Sequence, residues 1–183
     1  KNWRVRERID CAVTRVTRDA DGVTVQSAAE SERFDHAVLA CHSDEALDLL
    51  SDASANEREI LGAMTYQDND TVLHTDADQL PQRRRAWAAW NAIVPRDGTQ
   101  ACTVSYCMNL LQTLDCAEPI VVTLNRTAQI APDRILKRLR YRHPVYTQAS
   151  VAAQKRKAQI QGRNRIWFAG AYWGWGFHED GMR

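Results

Sequence analysis

The chain has 183 residues, of which 44% are hydrophobic and 26% are charged, and its formal net charge is +1 at pH 7. This composition is typical of a soluble globular protein with one or two domains. The small net charge favours neither nucleic acid nor an anionic membrane as a partner, and no apolar stretch approaches the roughly 20 residues of a membrane span.

The five cysteines are Cys11, Cys41, Cys102, Cys107 and Cys116. Their odd number, and the absence of a C-x-x-C pair, indicate reduced thiols in a cytoplasmic protein. A zinc site at Cys102 and Cys107 is an alternative, but their five-residue step is not a standard zinc spacing and no histidine lies close by. We therefore expect buried free cysteines and no bound metal.

The first predicted elements form a β-hairpin. Residues 9–16 predict a strand, Asp21-Gly22 is a tight-turn signal, and Val23-Thr24-Val25 predicts the return strand. The apolar run FDHAVLA at 34–40 predicts a short buried strand of the kind that a parallel sheet covers on both faces.

Two short helices are predicted next. Ser43 is expected to cap a helix over 44–50, which carries acidic residues in its first turn. A second helix is predicted over 56–64, with its end around Gly62.

Residues 70–76 predict a strand of alternating character. Period-2 spacing would place His74, Asp76 and Asp78 on one face, so a metal site is one interpretation. Polar alternation is also the normal signature of a half-exposed strand, and we favour that interpretation.

The middle of the chain predicts an antiparallel sheet between residues 71 and 146. Further strands are predicted at 103–106 and 121–124, whereas the pattern at 135–146 fits either a strand or a helix. The spacing of Trp87 and Trp90 suits one helix face or a turn, and a turn is predicted at 95–98. A helix over 150–160, ended by Gly162, then leads to the final segment.

The final segment, IWFAGAYWGWGFHEDGMR at 166–183, contains the most specific signal. A strand at 166–169 is followed by Gly170, Gly174 and Gly176 among four aromatic rings. Glycines allow a backbone to approach a bulky planar ligand closely. The acidic cluster at 178–180 is expected to open a helix at 181–182, whose free N–H groups would suit an electron-rich oxygen or phosphate.

This segment resembles the C-terminal flavin-contacting motif of the flavin-containing amine oxidase superfamily. It is most similar to a bacterial group of NAD/FAD-binding, amine-oxidase-like proteins that end in FAGAYxGxGFHEDG. Further similar segments lie at 34–50, 71–76, 86–91, 104–112 and 141–146. Those proteins begin with a G-x-G-x-x-G unit that holds the FAD pyrophosphate. The sequence has no such motif and starts at Lys1, so we expect the C-terminal part of a longer flavoprotein.

The resemblance implies an α+β chain derived from an α/β parent. It would combine an antiparallel substrate-domain sheet, in which residues 135–146 form a strand, with the C-terminal strands of an FAD-binding, Rossmann-like domain whose N-terminal βαβ unit is missing. Residues 1–50 would belong to the FAD-binding domain and residues 51–147 to a substrate-domain-like mixed β/α region. Residues 148–183 would contribute a helix, a strand and the flavin-contact motif.

The resemblance also implies the residues that contact FAD. The implied contacts are Val13 near the adenine, Ala40 (with Cys41) at a strand end near the cofactor, Gly170 and Ala171 near the pyrophosphate and ribityl chain, and Gly181 and Met182 at a helix start near the pyrimidine edge.

Two residues are implied as catalytic. Phe177 matches a position where amine oxidases place an aromatic ring that guides the substrate, although simple packing would also explain the aromatic residues here. His74 occupies the place of a lysine that holds a water near flavin N5. A histidine can act as acid or base near neutral pH, but a lone histidine is more often a hydrogen-bonded structural residue.

The implied function is oxidation of a small-molecule substrate by hydride transfer to FAD, with the chain inactive alone. We expect it to self-associate or to pair with the missing N-terminal half. The absent lysine and the aromatic-rich segments leave desaturation of a lipid or isoprenoid open as an alternative. A non-catalytic, cofactor-free fragment or binding module is a further alternative, because the G-x-G-x-x-G unit is missing.

Overall fold

A computed structural model describes residues 5–94 and 103–182, which divide into two units. One unit contains the chain up to Tyr66 and from Pro144 onward, and the other spans Gln67–His143. Cys102 and the predicted turn at 95–98 lie outside the described residues. Within the described ranges, no helix is long and apolar enough to cross a membrane.

The described strands are Val13–Arg18 (β1), Val23–Ser27 (β2), Ser31–Phe34 (β3), Ala37–Leu39 (β4), Tyr66–His74 (β5), Trp90–Ile93 (β6), Thr103–Cys107 (β7), Val121–Leu124 (β8), Ile135–Pro144 (β9) and Ile166–Phe168 (β10). The described α-helices are Ser43–Leu49 (α1), Ala55–Gly62 (α2), Met108–Leu111 (α3), Gln148–Gln154 (α4) and His178–Gly181 (α5).

The predicted hairpin is confirmed and is part of a three-stranded antiparallel sheet in the order β1-β2-β3. Val16 pairs with Val25 across the hairpin. Gly22 stands at the turn, where an added Cβ would lie only 2.7 Å from the Phe34 carbonyl oxygen. A glycine is therefore needed for β3 to approach the turn this closely.

Strands β4 and β10 form a parallel pair in which Val38 is the partner of Trp167. The predicted run at 34–40 is divided, because Phe34 ends β3 and β4 begins at Ala37. The expectation that both faces are covered is wrong for the described residues. Phe168 is buried, but Val38 is 62% exposed and Trp167 is 46% exposed. Alternate residues point to opposite faces, and only one face of this pair packs on the core.

Helix α1 begins one residue earlier than predicted. His42 is its N-cap, and Ser43, which we expected to be the cap, is the first helical residue. The Ser43 side chain is buried, and its backbone N–H donates to the Tyr66 hydroxyl at 2.9 Å. Helix α2 is confirmed, with a reciprocal capping box between Ser54 and Glu57.

A buried ion pair connects β1 to α2. The Arg18 guanidinium donates to both Glu57 carboxylate oxygens, at 2.6 and 3.1 Å, and the two side chains are only 3% and 1% exposed. Burial alone would raise the pKa of Glu57, but hydrogen bonds from Arg18 and Ser54 lower it overall. The pair is therefore charged and fixes how the helix sits against the hairpin.

The core of the first unit is one apolar cluster drawn from both of its chain segments. Its buried members are Val16, Val23, Leu39, Ala46, Leu50, Ala53, Ile60, Leu61, Met64, Ala153, Ile160, Ile166, Phe168 and Tyr172. The buried face of the β4–β10 pair contributes to this cluster, so the pair is held in place by the core beneath it.

The second unit contains a five-stranded sheet in the order β6-β7-β8-β5-β9. The pairs β6–β7, β7–β8 and β5–β8 are antiparallel, which confirms the predicted antiparallel sheet. The strand chosen for 135–146 is also confirmed, as β9. Trp87 and Trp90 do not share a helix face, because Trp90 begins β6 and Trp87 follows a short 3-10 turn.

The predicted helix at 150–160 is shorter than expected. Thr147 caps α4, which ends at Gln154, and a 3-10 turn follows at Lys157–Gln159. Gly162 ends the segment with a left-handed φ of 69°, and an added Cβ would lie 2.8 Å from the Trp167 ring. Both the conformation and the close ring contact favour glycine at this position.

Candidate functional site

The carboxyl ends of the parallel strands β4 and β10 lie side by side. The Ala169 N–H donates to the Leu39 carbonyl at 3.0 Å, so Ala40 and Gly170 follow at the same edge. Ala40 is exposed, and Gly170 and Ala171 are partly exposed. Ligands of open parallel sheets bind at such carboxyl edges. We call Ala40, Gly170 and Ala171 the strand-end edge; three sequence-predicted site residues thus come together here.

Two glutamines hold the chain in shape after β10. Gln154 Nε2 donates to the Tyr172 carbonyl at 2.9 Å and to the Gly174 carbonyl at 2.7 Å. Gln161 Nε2 donates to the Phe168 carbonyl at 2.6 Å, and Gln161 Oε1 accepts the Phe168 N–H at 2.8 Å. The turn at the strand-end edge is therefore positioned by side chains from α4 and the segment after it. The sequence pattern did not identify either glutamine, because polar residues in a polar helix carry no periodic signal.

Tyr172 lies directly beneath this turn and is 3% exposed. An added Cβ at Gly170 would be 2.2 Å from Tyr172 Cε1, so the glycine makes room for this ring. Burial raises the pKa of Tyr172, and nearby Tyr66 and Cys41 raise it further. Its hydroxyl therefore keeps its proton, and it has no hydrogen-bond partner within the described residues.

The other two glycines of the motif also accommodate side chains of this chain. An added Cβ at Gly174 would lie 2.3 Å from Asp180 Cγ, and one at Gly176 would lie 2.7 Å from the Tyr146 hydroxyl. Gly176 also has a φ of 88°, in the left-handed region. Asp180 Oδ2 accepts the Trp175 N–H at 2.9 Å and so closes this loop.

The C-terminal helix differs from the prediction. It begins at His178, with Phe177 as its N-cap, so the acidic cluster lies within the helix rather than ahead of it. The Gly181 N–H donates to the Phe177 carbonyl at 3.3 Å, and the Met182 N–H donates to the Glu179 carbonyl at 3.2 Å. Gly181 and Met182 are therefore not the start of a helix, and their N–H groups are already engaged.

Aromatic side chains of the motif divide into packed and exposed groups. Tyr172 is buried in the core, whereas Trp175 and Phe177 are 65% and 53% exposed. The Trp175 ring lies 5.7 Å from the ring of Tyr146, which is 38% exposed. Packing alone thus explains Tyr172. Tyr146, Trp175 and Phe177 instead form what we call the exposed aromatic surface.

Val13 lies in β1, within the three-stranded sheet. It lines a groove of about 540 Å³ whose apolar floor includes Val25 and Phe34. The charged side chains along this groove are Arg6, Arg8, Glu30 and Glu32, which form ion pairs with one another.

His74 belongs to the second unit and is fully buried. Its Nδ1 accepts the Asp76 N–H at 3.1 Å, so Nε2 carries the proton and donates to Thr123 Oγ1 at 2.8 Å. Thr123 in turn bonds Ser105 Oγ at 2.8 Å. Burial lowers the pKa of His74, which keeps the ring neutral, although Asp76 acts in the opposite direction. The expectation of a half-exposed strand is wrong at His74, because this side chain is fully buried.

The alternative metal interpretation of this segment finds no supporting geometry. Asp76 caps a 3-10 turn at Ala77–Gln79, and Asp78 lies exposed within that turn. In the part of the chain that the structure describes, no three His, Cys, Asp or Glu side chains are grouped so as to hold a metal ion.

Solved structures with a similar fold are FAD-dependent enzymes of the amine oxidase family. They include a redesigned putrescine oxidase (TM-score 0.56, 8% identity, 93% of this chain and 45% of that chain). Cyclohexylamine oxidase from Brevibacterium oxydans is another (TM-score 0.54, 14% identity, 95% of this chain and 46% of that chain). A fatty acid isomerase from P. acnes is also similar (TM-score 0.53, 15% identity, 87% of this chain and 42% of that chain).

The TM-scores show a shared fold, and at identities this low they show the fold alone. The resemblance noted in the sequence is confirmed at the level of the fold. The chain spans less than half of the length of each of these proteins. No protein-family model and no curated protein matches the sequence.

The strand-end edge fits a dinucleotide cofactor. Ala40, Gly170 and Ala171 have small side chains, are accessible, and stand at the carboxyl ends of parallel strands. The 3-10 turn Ala171–Trp173 follows directly after this edge, and its Trp173 N–H donates to the Gly170 carbonyl at 3.2 Å.

Proposed function

We propose that this chain forms part of an FAD-dependent oxidoreductase of the amine oxidase superfamily. The observation that carries the proposal is the strand-end edge, where small accessible residues follow two parallel strands. The shared fold with FAD-dependent enzymes supports it. When bound, FAD would accept a hydride equivalent from the substrate.

In this proposal the chain binds and orients the cofactor. Gly170 and Ala171 contact its pyrophosphate and ribityl chain, and Ala40 borders the same edge. The groove lined by Val13 takes the adenine end. Gly181 and Met182 border the pyrimidine edge without donating their N–H groups, because α5 already uses them.

We further propose that the exposed aromatic surface guides the substrate. Phe177 and Trp175 are more than half exposed, and aromatic faces attract an ammonium group. An amine is therefore the first substrate class to test. His74 is the acid–base candidate by its place in the similar segment at 71–76, but its two satisfied ring nitrogens favour a structural role.

Catalysis in this proposal requires a further polypeptide segment. Val38 and Trp167 expose apolar surface on one face of the β4–β10 pair, and such surface is stabilised by a covering partner. We infer that the chain is inactive until the remaining part of an FAD-binding domain covers this face. Self-association is the alternative way to cover it.

A cofactor-free binding module is the second candidate function. The glycines at 170, 174 and 176 each border a side chain of this chain, which explains them without any ligand. This candidate predicts that FAD does not bind at the strand-end edge.

The deciding experiment titrates FAD into the purified protein and follows flavin fluorescence. We expect saturable binding, which Ala40→Glu should weaken at least about tenfold, because a carboxylate at this exposed position repels the pyrophosphate. Ala149→Glu is the matched control, since Ala149 is also exposed and lies in α4 of the same unit. No binding would support the cofactor-free candidate, and equal binding by both variants would contradict the strand-end edge as the FAD site.

If FAD binds, substrate class follows from loss of the flavin absorbance under anaerobic conditions, measured on the chain in complex with the remaining part of the FAD-binding domain. Primary amines and fatty acids should be compared side by side, with Phe177→Leu as the variant. Bleaching by amines alone supports the amine proposal, and bleaching by fatty acids alone supports a lipid substrate.

A further inference from the structure

Two cysteines that the proposed function does not use line one cavity in the second unit. The cavity has a volume of about 300 Å³ and lies beside the connection between β7 and β8. Cys107 and Cys116 both line it, and the Arg84 guanidinium lies 5.3 Å from the Trp87 ring along its wall.

The Cys116 thiol is exposed but held in a defined position. Asn109 Nδ2 donates to Cys116 Sγ at 3.0 Å, and the thiol donates to the Glu118 carbonyl at 3.4 Å. Exposure gives a small oxidant access to the sulfur, and the two hydrogen bonds keep it beside the cavity.

Cys107 is the last residue of β7 and is fully buried. It precedes Asn109 by only two residues, so the side chain that holds Cys116 is anchored next to Cys107. Asn109 Oδ1 also accepts the Ile120 N–H at 2.7 Å, which fastens the far end of the connection. The two thiols therefore differ strongly in accessibility although they border the same cavity.

The segment that carries Cys116 can move without uncovering the core. Residues 111–118 are all exposed, so a shift of this segment toward Cys107 breaks few apolar contacts. A disulfide requires Cα atoms about 4.4 to 6.8 Å apart, and an exposed connection can adjust to that distance.

We propose that Cys107 and Cys116 form an oxidant-sensitive dithiol that reduces a hydroperoxide and closes as a disulfide. Cys116 Sγ attacks the terminal peroxide oxygen, the O–O bond breaks, and the sulfur becomes a sulfenic acid as water leaves from hydrogen peroxide, or an alcohol from an organic hydroperoxide. Cys107 Sγ then attacks that sulfur, the S–O bond breaks, and a water leaves as the S–S bond forms. The two thiols supply both electrons, so the proposal does not depend on flavin.

The test is hydrogen peroxide treatment of the reduced protein, followed by peptide mass spectrometry without reductant. We expect a Cys107–Cys116 cross-link, and before oxidation we expect iodoacetamide to label Cys116 roughly tenfold faster than Cys107. Cys11→Ser is the matched control, since Cys11 lies in the other unit, and it should leave the cross-link unchanged.

Two variants separate the steps. Cys107→Ala should abolish the cross-link and leave a sulfenic acid at Cys116 that a 1,3-dione probe captures. Cys116→Ser should abolish both the cross-link and the capture of the 1,3-dione probe at this position. The proposal is overturned if wild-type Cys116 reacts without cross-linking to Cys107, or if Cys107→Ala captures no more probe at Cys116 than the wild type does.

Discussion

Gly170 is the single residue whose replacement tests the local geometry of the strand-end edge most sharply. An added Cβ would meet the Tyr172 ring at 2.2 Å, and that ring is buried in the core. We expect Gly170→Ala to lower the free energy of unfolding by about 1–3 kcal/mol, because the ring must leave its place.

Gly181→Ala is the matched control for this prediction. Its added Cβ would meet only the Ala171 backbone nitrogen at an ordinary 3.6 Å, and it lies in α5. Alanine favours a helix over glycine, so stability should stay level or rise slightly. Chemical denaturation of both variants gives the comparison, and equal destabilisation would contradict the observed packing.

His74 provides a prediction about pH. Burial depresses the pKa of His74 in the folded state below its ordinary value of 6.5, so the unfolded chain takes up its proton first. The stability that depends on neutral His74 is therefore complete above about pH 6.5 and is lost as the pH falls toward the lower folded-state value. The slope for one proton is at most about 1.4 kcal/mol per pH unit.

Denaturation at a series of pH values checks this prediction. His74→Gln should be less stable at neutral pH, because the link between Asp76 and Thr123 is disturbed. It should also show a flatter decline below pH 6.5. An unchanged decline in His74→Gln would show that another group causes it.

At the scale of elements, the Arg18–Glu57 pair holds α2 against the hairpin. Arg18→Met leaves the Glu57 carboxylate buried without its cationic partner. We expect a loss of about 3–5 kcal/mol in unfolding free energy, the usual result of breaking a buried pair from one side.

Arg33→Met is the control for this prediction, because the Arg33–Asp19 pair is solvent exposed. Removal of an exposed, solvent-screened pair should change the unfolding free energy far less than removal of the buried Arg18 side chain does. Thermal unfolding of both variants measures the difference, and a small effect of Arg18→Met would mean that α2 is held by its apolar contacts alone.

The elements also show what the sequence could predict. The Asp21-Gly22 turn and the second helix follow from local signals, and both are present, whereas the strand at 135–146 was implied by the resemblance because its local pattern also fits a helix. The division of the run at 34–40 depends on the pairing of β3 with β2 and of β4 with β10, which local patterns do not contain. The start of α5 at His178 has a local cause instead, because Asp180 accepts the Phe177 N–H at 3.1 Å.

The site was predictable only in part, for the same reason. The resemblance identified Ala40, Gly170 and Ala171, which the structure brings to one edge. Other features arise from contacts between distant segments: the hydrogen bonds of Gln154 to the turn, the buried Tyr172 hydroxyl and the neutral state of His74. Sequence spacing carries no signal for such contacts.

At the scale of the whole molecule, the proposed function depends on FAD binding at the strand-end edge. The chain spans less than half of the length of each similar solved structure, so under this proposal it would supply one share of the cofactor site. The missing share of binding contacts should make FAD binding weak rather than absent, since each tenfold loss of affinity corresponds to about 1.4 kcal/mol.

The most direct measurement is the visible absorption spectrum of the protein peak in gel filtration on a column equilibrated with FAD, read as flavin absorbance above the column baseline so that weakly bound ligand is retained. We predict a flavin spectrum that elutes with the protein and is diminished in Ala40→Glu but not in Ala149→Glu. A protein peak without flavin absorbance above that baseline, at FAD concentrations that saturate related oxidoreductases, would contradict the proposal and identify the chain as a cofactor-free domain.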